Sequence, residues 1–145
     1  MTGQGDRAVQ IARRWIGTPY HHQASALAAG TDCLGLLRGI WRELYGDEPE
    51  PVPAYTQDWS EPEGVERLWS AAEKHLCRCD RNLPIKPGEI LLFRMRSGSV
   101  AKHLGLAAMG GQWPTFIHAY SGHGVVESAL SAPWLRRVVA RFEFP

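Results

Sequence analysis

A chain of 145 residues that is 44% apolar and 21% charged has the length and composition of one globular domain, which excludes a disordered or collagen-like protein. Sixteen basic residues against fifteen acidic ones give a formal net charge of +1, without the basic excess of a nucleic-acid binder. Three cysteines, an odd number, read as free thiols of a protein made in a reducing cytosol.

The opening MTGQGDRAVQIARRW has no apolar h-region and no small-residue cleavage site, so no signal peptide is expected and synthesis is expected in the cytoplasm. The first predicted helix follows Gly5-Asp6, with Asp6 as its cap. Ala8, Ala12, Trp15 and Ile16 share one face, and Gly17 and Pro19 stop it. The second starts at Thr31-Asp32. Cys33, Leu37, Ile40, Trp41 and Leu44 form its apolar stripe, and Gly46 ends it. Pro49, Pro51 and Pro53, at alternate positions, make an extended connector. A third helix opens with Ser60-Glu61-Pro62-Glu63, read as a capping box, and carries Val65, Leu68, Trp69, Ala72 and Leu76 on its face.

After Pro87-Gly88 the texture changes to short segments cut by glycine-rich turns: Glu89–Met95, Ala101–Met109, Thr115–Tyr120, Gly124–Ser128 and Leu135–Phe144. That spacing predicts an antiparallel meander. In the last segment Val138, Ala140, Phe142 and Phe144 alternate with Arg137, Val139, Arg141 and Glu143, the pattern of a half-exposed strand. Helices first and strands afterwards give an α+β fold in a single domain, 1–145. The longest uncharged stretch, His103 to Val126, holds three histidines, Gln112 and Pro114, and is broken by turn signals, so no membrane insertion is expected.

Cys33 is the most informative residue for chemistry. It falls in the first turn of a predicted helix, where unpaired N–H groups and the helix dipole favour a thiolate, although a small core residue would suit the same position. A thiolate nucleophile needs a base and the base an orienter. His103 and His118 lie on separate predicted strands that antiparallel pairing sets side by side, as catalytic partners or as two structural histidines. A metal site is the second reading, from Cys77, Cys79, Cys33 and His21-His22. The C-x-C spacing differs from the C-x₂₋₄-C of structural zinc sites, and Cys77 and Cys79 read better as a strand edge after the third helix. There is no phosphate loop, no dinucleotide fingerprint and no G-x-S-x-G. No metal or cofactor is expected. Trp113, Trp134, Tyr55 and Trp59 read as packing residues, some of them able to line a groove.

Five segments in order, Gly17-Thr18-Pro19-Tyr20, Asp32-Cys33-Leu34-Gly35-Leu36, Pro87–Phe93, His103-Leu104-Gly105-Leu106 and Phe116-Ile117-His118-Ala119, resemble the motifs of the NlpC-type cell-wall peptidases, papain-like cysteine hydrolases of bacterial peptidoglycan. The stretch Gly17–Gln23 with Asp32–Leu44 is most similar to the branch found in phage tails and gene transfer agents. The resemblance implies N-terminal helices packed on a C-terminal antiparallel sheet. It implies Cys33 as nucleophile, His103 as general base, His118 as the group that orients the imidazole, and Tyr20 with the Cys33 N–H at the oxyanion. Asp32 matches an acidic residue that binds the free amine of a stem peptide in some members, and it also suits a helix cap. Leu34 stands where the family commonly has serine, which removes a hydroxyl near the substrate carboxylate.

The implied activity is a peptidoglycan endopeptidase that cuts the amide between D-glutamate and the diamino acid of the stem peptide. Without an export signal or room for a wall-binding repeat, such an enzyme is expected to reach the wall on a phage-like tail, bound to a tip or hub protein. The connector Pro49–Pro53 and an exposed edge in Leu135–Phe144 are the expected docking surfaces. The alternatives are a non-catalytic tail component that keeps the fold, and a related thiol amidase or acyltransferase.

Overall fold

The computed structural model describes residues 3–57, 59 and 64–145. Helix α1 (Gln4–Trp15) buries Ala8, Ala12 and Trp15 as its periodicity requires. Its cap is Gly3, and Asp6 lies inside the first turn, where a carboxylate still meets the positive end of the dipole. Ile16 is the C-cap residue, already out of helical conformation, and is 42% exposed rather than part of the buried face.

A two-stranded hairpin follows, β1 (Ser25–Ala26) and β2 (Gly30–Thr31), and leads straight into α2 (Cys33–Tyr45). Cys33, Leu36, Leu37 and Ile40 are buried along α2, with Trp41 and Leu44 packed at the margin. The capping box expected at Ser60–Glu63 lies outside the described residues. Helix α3 runs over Arg67–His75 and buries Leu68 and Ala72, while Val65 precedes it and is exposed.

The sheet holds β3 (Cys77–Arg78), β4 (Ile90–Phe93), β5 (His103–Met109), β6 (Thr115–Tyr120), β7 (Gly124–Ala129) and β8 (Val138–Glu143), in the order β3-β8-β4-β5-β6-β7, with antiparallel neighbours throughout. The expected meander is β4 to β7; β8 then returns to the far side of β4. One face of the sheet carries Ile90, Leu92, Leu104, Leu106, Ile117 and Phe142 against the helices. The other carries Leu91, Phe93, Ala107 and Phe116 in a smaller core. Both faces of β4 are therefore covered, which explains its unbroken apolar run.

Leu135–Phe144 is not one strand. Pro133 opens a short helix, α4 (Ala132–Arg137), whose Trp134 packs on the smaller core before β8 begins. Nor is β8 an exposed edge: β3 and β4 pair with its two sides, so it does not offer the docking surface expected of it. The expected alternation also fails at Arg141, which is buried. Its guanidinium donates to Glu89 Oε1 and Oε2 at 2.7 and 3.1 Å and to the Leu83 carbonyl at 2.6 Å. A bidentate partner and a carbonyl satisfy the charge and tie the loop before β4 to β8.

Candidate active site

The β1–β2 hairpin and α2 set the first half of the site. Asp32 is the α2 cap, with Oδ1 accepting from the Gly35 N–H at 2.7 Å. Its Oδ2 accepts from the Gln23 N–H at 2.7 Å and from the Tyr55 hydroxyl. The carboxylate is thus filled with internal donors and fits the cap role, while it also borders the cleft in front of Cys33. Gly35 permits the close approach: a Cβ there would lie 1.9 Å from the Ala24 carbonyl oxygen and 2.5 Å from Thr31 Oγ1.

Cys33 is the first residue of α2, 7% exposed, with Sγ 3.9 Å from the Lys102 carbonyl that precedes β5. Burial, reinforced by the Asp32 carboxylate, pushes its thiol up to about 12. Backbone N–H groups of Leu104, Leu34 and Cys33 pull the other way. The helix end therefore acts on the sulfur as the sequence suggests, but desolvation outweighs it, and the resting group is a thiol.

The sheet sets the second half. His103 opens β5 and His118 is in β6, both on the face of the smaller core. Nε2 of His103 lies 2.7 Å from Nδ1 of His118, with the rings nearly perpendicular at 77°. Gly105 helps, since a Cβ there would press on Phe116 at 2.7 Å and on the His118 Cβ at 3.4 Å. The Trp134 ring lies 5.8 Å from His103 and 5.2 Å from His118, closing the pair off. Burial and then the neighbouring His118 hold His103 down at about 3, and burial and then His123 hold His118 down at about 4. Both imidazoles are neutral at pH 7.

Tyr20, Asp32, Cys33, His103 and Tyr120 border one cleft of about 330 Å³. His118 stands behind His103. The Tyr20 hydroxyl is raised to about 12 by burial and then by Cys33 and Asp32, so it remains an O–H donor. All five residues singled out in the sequence thus come together. Tyr55 and Trp59, stacked at 4.2 Å, also border the cleft, and on their other side lies an apolar cavity of about 680 Å³ lined by Leu34, Leu68 and Leu104 among others.

Ser128 escaped the sequence reading, and so did the bond to Asp32 made by Tyr55, which the sequence marks only as a packing or groove-lining aromatic. Ser128 Oγ is 2.9 Å from His118 Nε2. The Ser121–Gly124 turn carries a signal for it, because it sets Tyr120 opposite Gly124 and hence Phe116 opposite Ser128, one diagonal step from His118. Tyr55, the partner of Asp32, sits in irregular chain after the prolines and has no such signal.

The residues of the metal reading are not gathered. Cys77 lies in β3 and Cys79 bonds to β8 through its N–H, whereas His22 Nε2 meets the Tyr55 carbonyl at 2.8 Å. Among the described residues no three His, Cys, Asp or Glu side chains are grouped as a metal ion requires, and no helix is long and apolar enough to cross a membrane.

Comparison with known proteins supports the same architecture. No family model matches the chain. A curated relative, the gamma-DL-glutamyl hydrolase of Bacillus subtilis (strain 168), is 30% identical over 123 residues, which is 85% of this chain. The chain spans about a quarter of that relative's length, 25%. Among solved structures, the NlpC/p60 domain of the peptidoglycan hydrolase SagA superposes with a TM-score of 0.60 at 21% identity, covering 97% of this chain and 98% of that one. NlpC1 from Trichomonas vaginalis gives a TM-score of 0.67 at 21% identity, covering 99% of this chain and 45% of that one. With its N-terminal helices on a C-terminal antiparallel sheet, the chain has the papain-like NlpC/P60 fold.

Proposed function

We propose that the protein is an NlpC/P60 cysteine peptidase that hydrolyses an amide of the peptidoglycan stem peptide. The observation that carries this is the convergence on one cleft of Cys33, at the start of α2, and His103, backed by the buried His118. The similarity to a glutamyl hydrolase supports a glutamyl amide as the bond, consistent with cleavage between D-glutamate and the diamino acid.

The chemistry follows from the proton positions. His118 engages Nε2 of His103, so Nδ1 is the nitrogen left to take the Cys33 proton. Sγ then bonds to the amide carbon, and the oxyanion accepts from the Tyr20 hydroxyl and the Cys33 N–H. His103 returns the proton to the leaving nitrogen as the C–N bond breaks. Water, deprotonated by the same imidazole, then hydrolyses the thioester and regenerates the thiol. Both groups start neutral, so proton transfer accompanies attack rather than preceding it. Carriage on a phage-like tail, through a tip or hub protein, rests on the sequence resemblance to that branch.

A second reading, a thiol acyltransferase or amidase on an apolar acyl group, is favoured by the cavity of about 680 Å³ beside Tyr55 and Trp59. Digesting purified sacculi and identifying the fragments by mass spectrometry separates the two. New D-glutamate termini released by wild type and not by Cys33→Ala support the peptidase. Intact sacculi, with acyl transfer from a soluble thioester, support the second reading.

A further inference from the structure

We propose that Ser128 is a positioning residue, whose hydroxyl accepts from His118 and so fixes the tautomers of both imidazoles with Nδ1 of His103 bare toward Cys33. This deepens the peptidase reading and rests on it.

The argument is one of donor counting. Three groups stand in line: His103 Nε2 is 2.7 Å from His118 Nδ1, and His118 Nε2 is 2.9 Å from Ser128 Oγ. When His103 takes a proton it becomes an imidazolium, and both its nitrogens must donate. His118 Nδ1 must then be an acceptor. In a neutral imidazole that puts the remaining proton on Nε2, which has to donate to Ser128. Only an oxygen able to accept at that position completes the line.

His118 is 1% exposed and Ser128 is half-buried, so loss of the hydroxyl leaves His118 Nε2 without a fixed acceptor. The ionisable groups facing His118 among the described residues are His103 on β5, Tyr120 on its own strand and His123 in the following turn. None of these stands in the Ser128 position, which β7 supplies from the other side of the strand.

The test pairs Ser128→Ala with Ser128→Thr, which keeps a hydroxyl on a strand-favouring side chain. Histidine ¹⁵N NMR is recorded on all three proteins. Wild type is expected to show His118 protonated at Nε2 and bare at Nδ1, with His103 protonated at Nε2. In Ser128→Ala the His118 signals should become a mixture of tautomers, and Ser128→Thr should restore the wild-type pattern.

With a soluble stem tetrapeptide as substrate, Ser128→Ala should lower kcat by about 10- to 100-fold, the cost of one buried donor left without a partner. KM should stay within about twofold, since Ser128 does not border the cleft, and Ser128→Thr should recover kcat. Wild-type His118 bare at Nε2, or a Ser128→Ala protein with unchanged kcat and tautomers, overturns the proposal. The NMR arm needs no substrate, so a wild type that cleaves no stem peptide overturns the peptidase reading alone.

Discussion

Nε2 of His103 and Nδ1 of His118 are 2.7 Å apart in a region closed to water, so one imidazole holds the other by a single hydrogen bond. In the proposed reaction the two side chains have unequal tasks. His103 borders the cleft with Cys33, and His118 reaches it only through His103. Replacing His103 with alanine is expected to cost on the order of 10⁴-fold in kcat, as loss of a catalytic base does, while His118→Ala should cost markedly less. Steady-state kinetics on stem peptide, with circular dichroism to confirm folding, measures both. Full activity in His103→Ala would remove the base assigned here.

The state of the sulfur is a separate expectation. Burial and Asp32 push the Cys33 thiol up to about 12, so little thiolate exists near pH 7. The measurement is the difference in absorbance near 240 nm as pH rises between a protein with Cys77 and Cys79 changed to serine and the same protein with Cys33 changed as well, so that the tyrosines cancel and only Cys33 reports. Absorbance is expected to stay at the thiol level through pH 9 and then climb. A thiolate signal at neutral pH would mean that the helix end and His103 outweigh desolvation, and that a preformed ion pair attacks.

Stability should fall in acid. His103 and His118 titrate at about 3 and about 4 in the fold, below the value near 6.5 of an unfolded chain. Between those limits the unfolded state binds more protons, so stability rises with pH. The contribution is complete above about pH 6.5 and is lost as pH falls toward 4 for His118 and toward 3 for His103, at up to about 1.4 kcal/mol per pH unit for each histidine. Urea midpoints at pH 7.5, 6.5 and 5.5 should decline in wild type and decline less steeply in His118→Asn. Parallel declines would place the acid sensitivity in other groups.

The elements around the site were legible because their signals are local. An apolar stripe opened by Asp32 and closed by Gly46 needs no tertiary information to be a helix, and the glycine turns of the C-terminal half separate β5, β6 and β7. The misreadings arose where long-range contacts decide. Arg141 looks solvent-facing in a strand of alternating residues, and Glu89 and the Leu83 carbonyl, far back in the chain, make its burial tolerable. Leu135–Phe144 reads as one strand until Pro133 and the need to cover Phe93 and Phe116 with Trp134 turn its start into a helix. At Cys33 the sequence shows the dipole but not the depth of burial, so the direction of its shift was not legible.

The last expectation concerns Gly35, which joins fold to chemistry. Its position two residues after Cys33, in the first turn of α2, packs against the chain that leads into the β1–β2 hairpin. The methyl of an alanine would sit 1.9 Å from the Ala24 carbonyl oxygen and 2.5 Å from Thr31 Oγ1. Ala24 contributes backbone, so the strain cannot be relieved by a rotamer change, and α2 and the hairpin must part. Overpacking of this kind costs about 1–3 kcal/mol. The same movement pulls the Gly35 N–H from Asp32 Oδ1 and shifts Cys33, the residue next to that cap, relative to His103. Gly35→Ala should therefore lower both the urea midpoint and kcat. Gly110→Ala is the control: its nearest contact is an ordinary 3.6 Å to Pro87 Cδ, and it should stay within about 0.5 kcal/mol of wild type with normal activity. Equal stability and turnover in the two variants would mean that the close approach of α2 to the hairpin does not position Cys33.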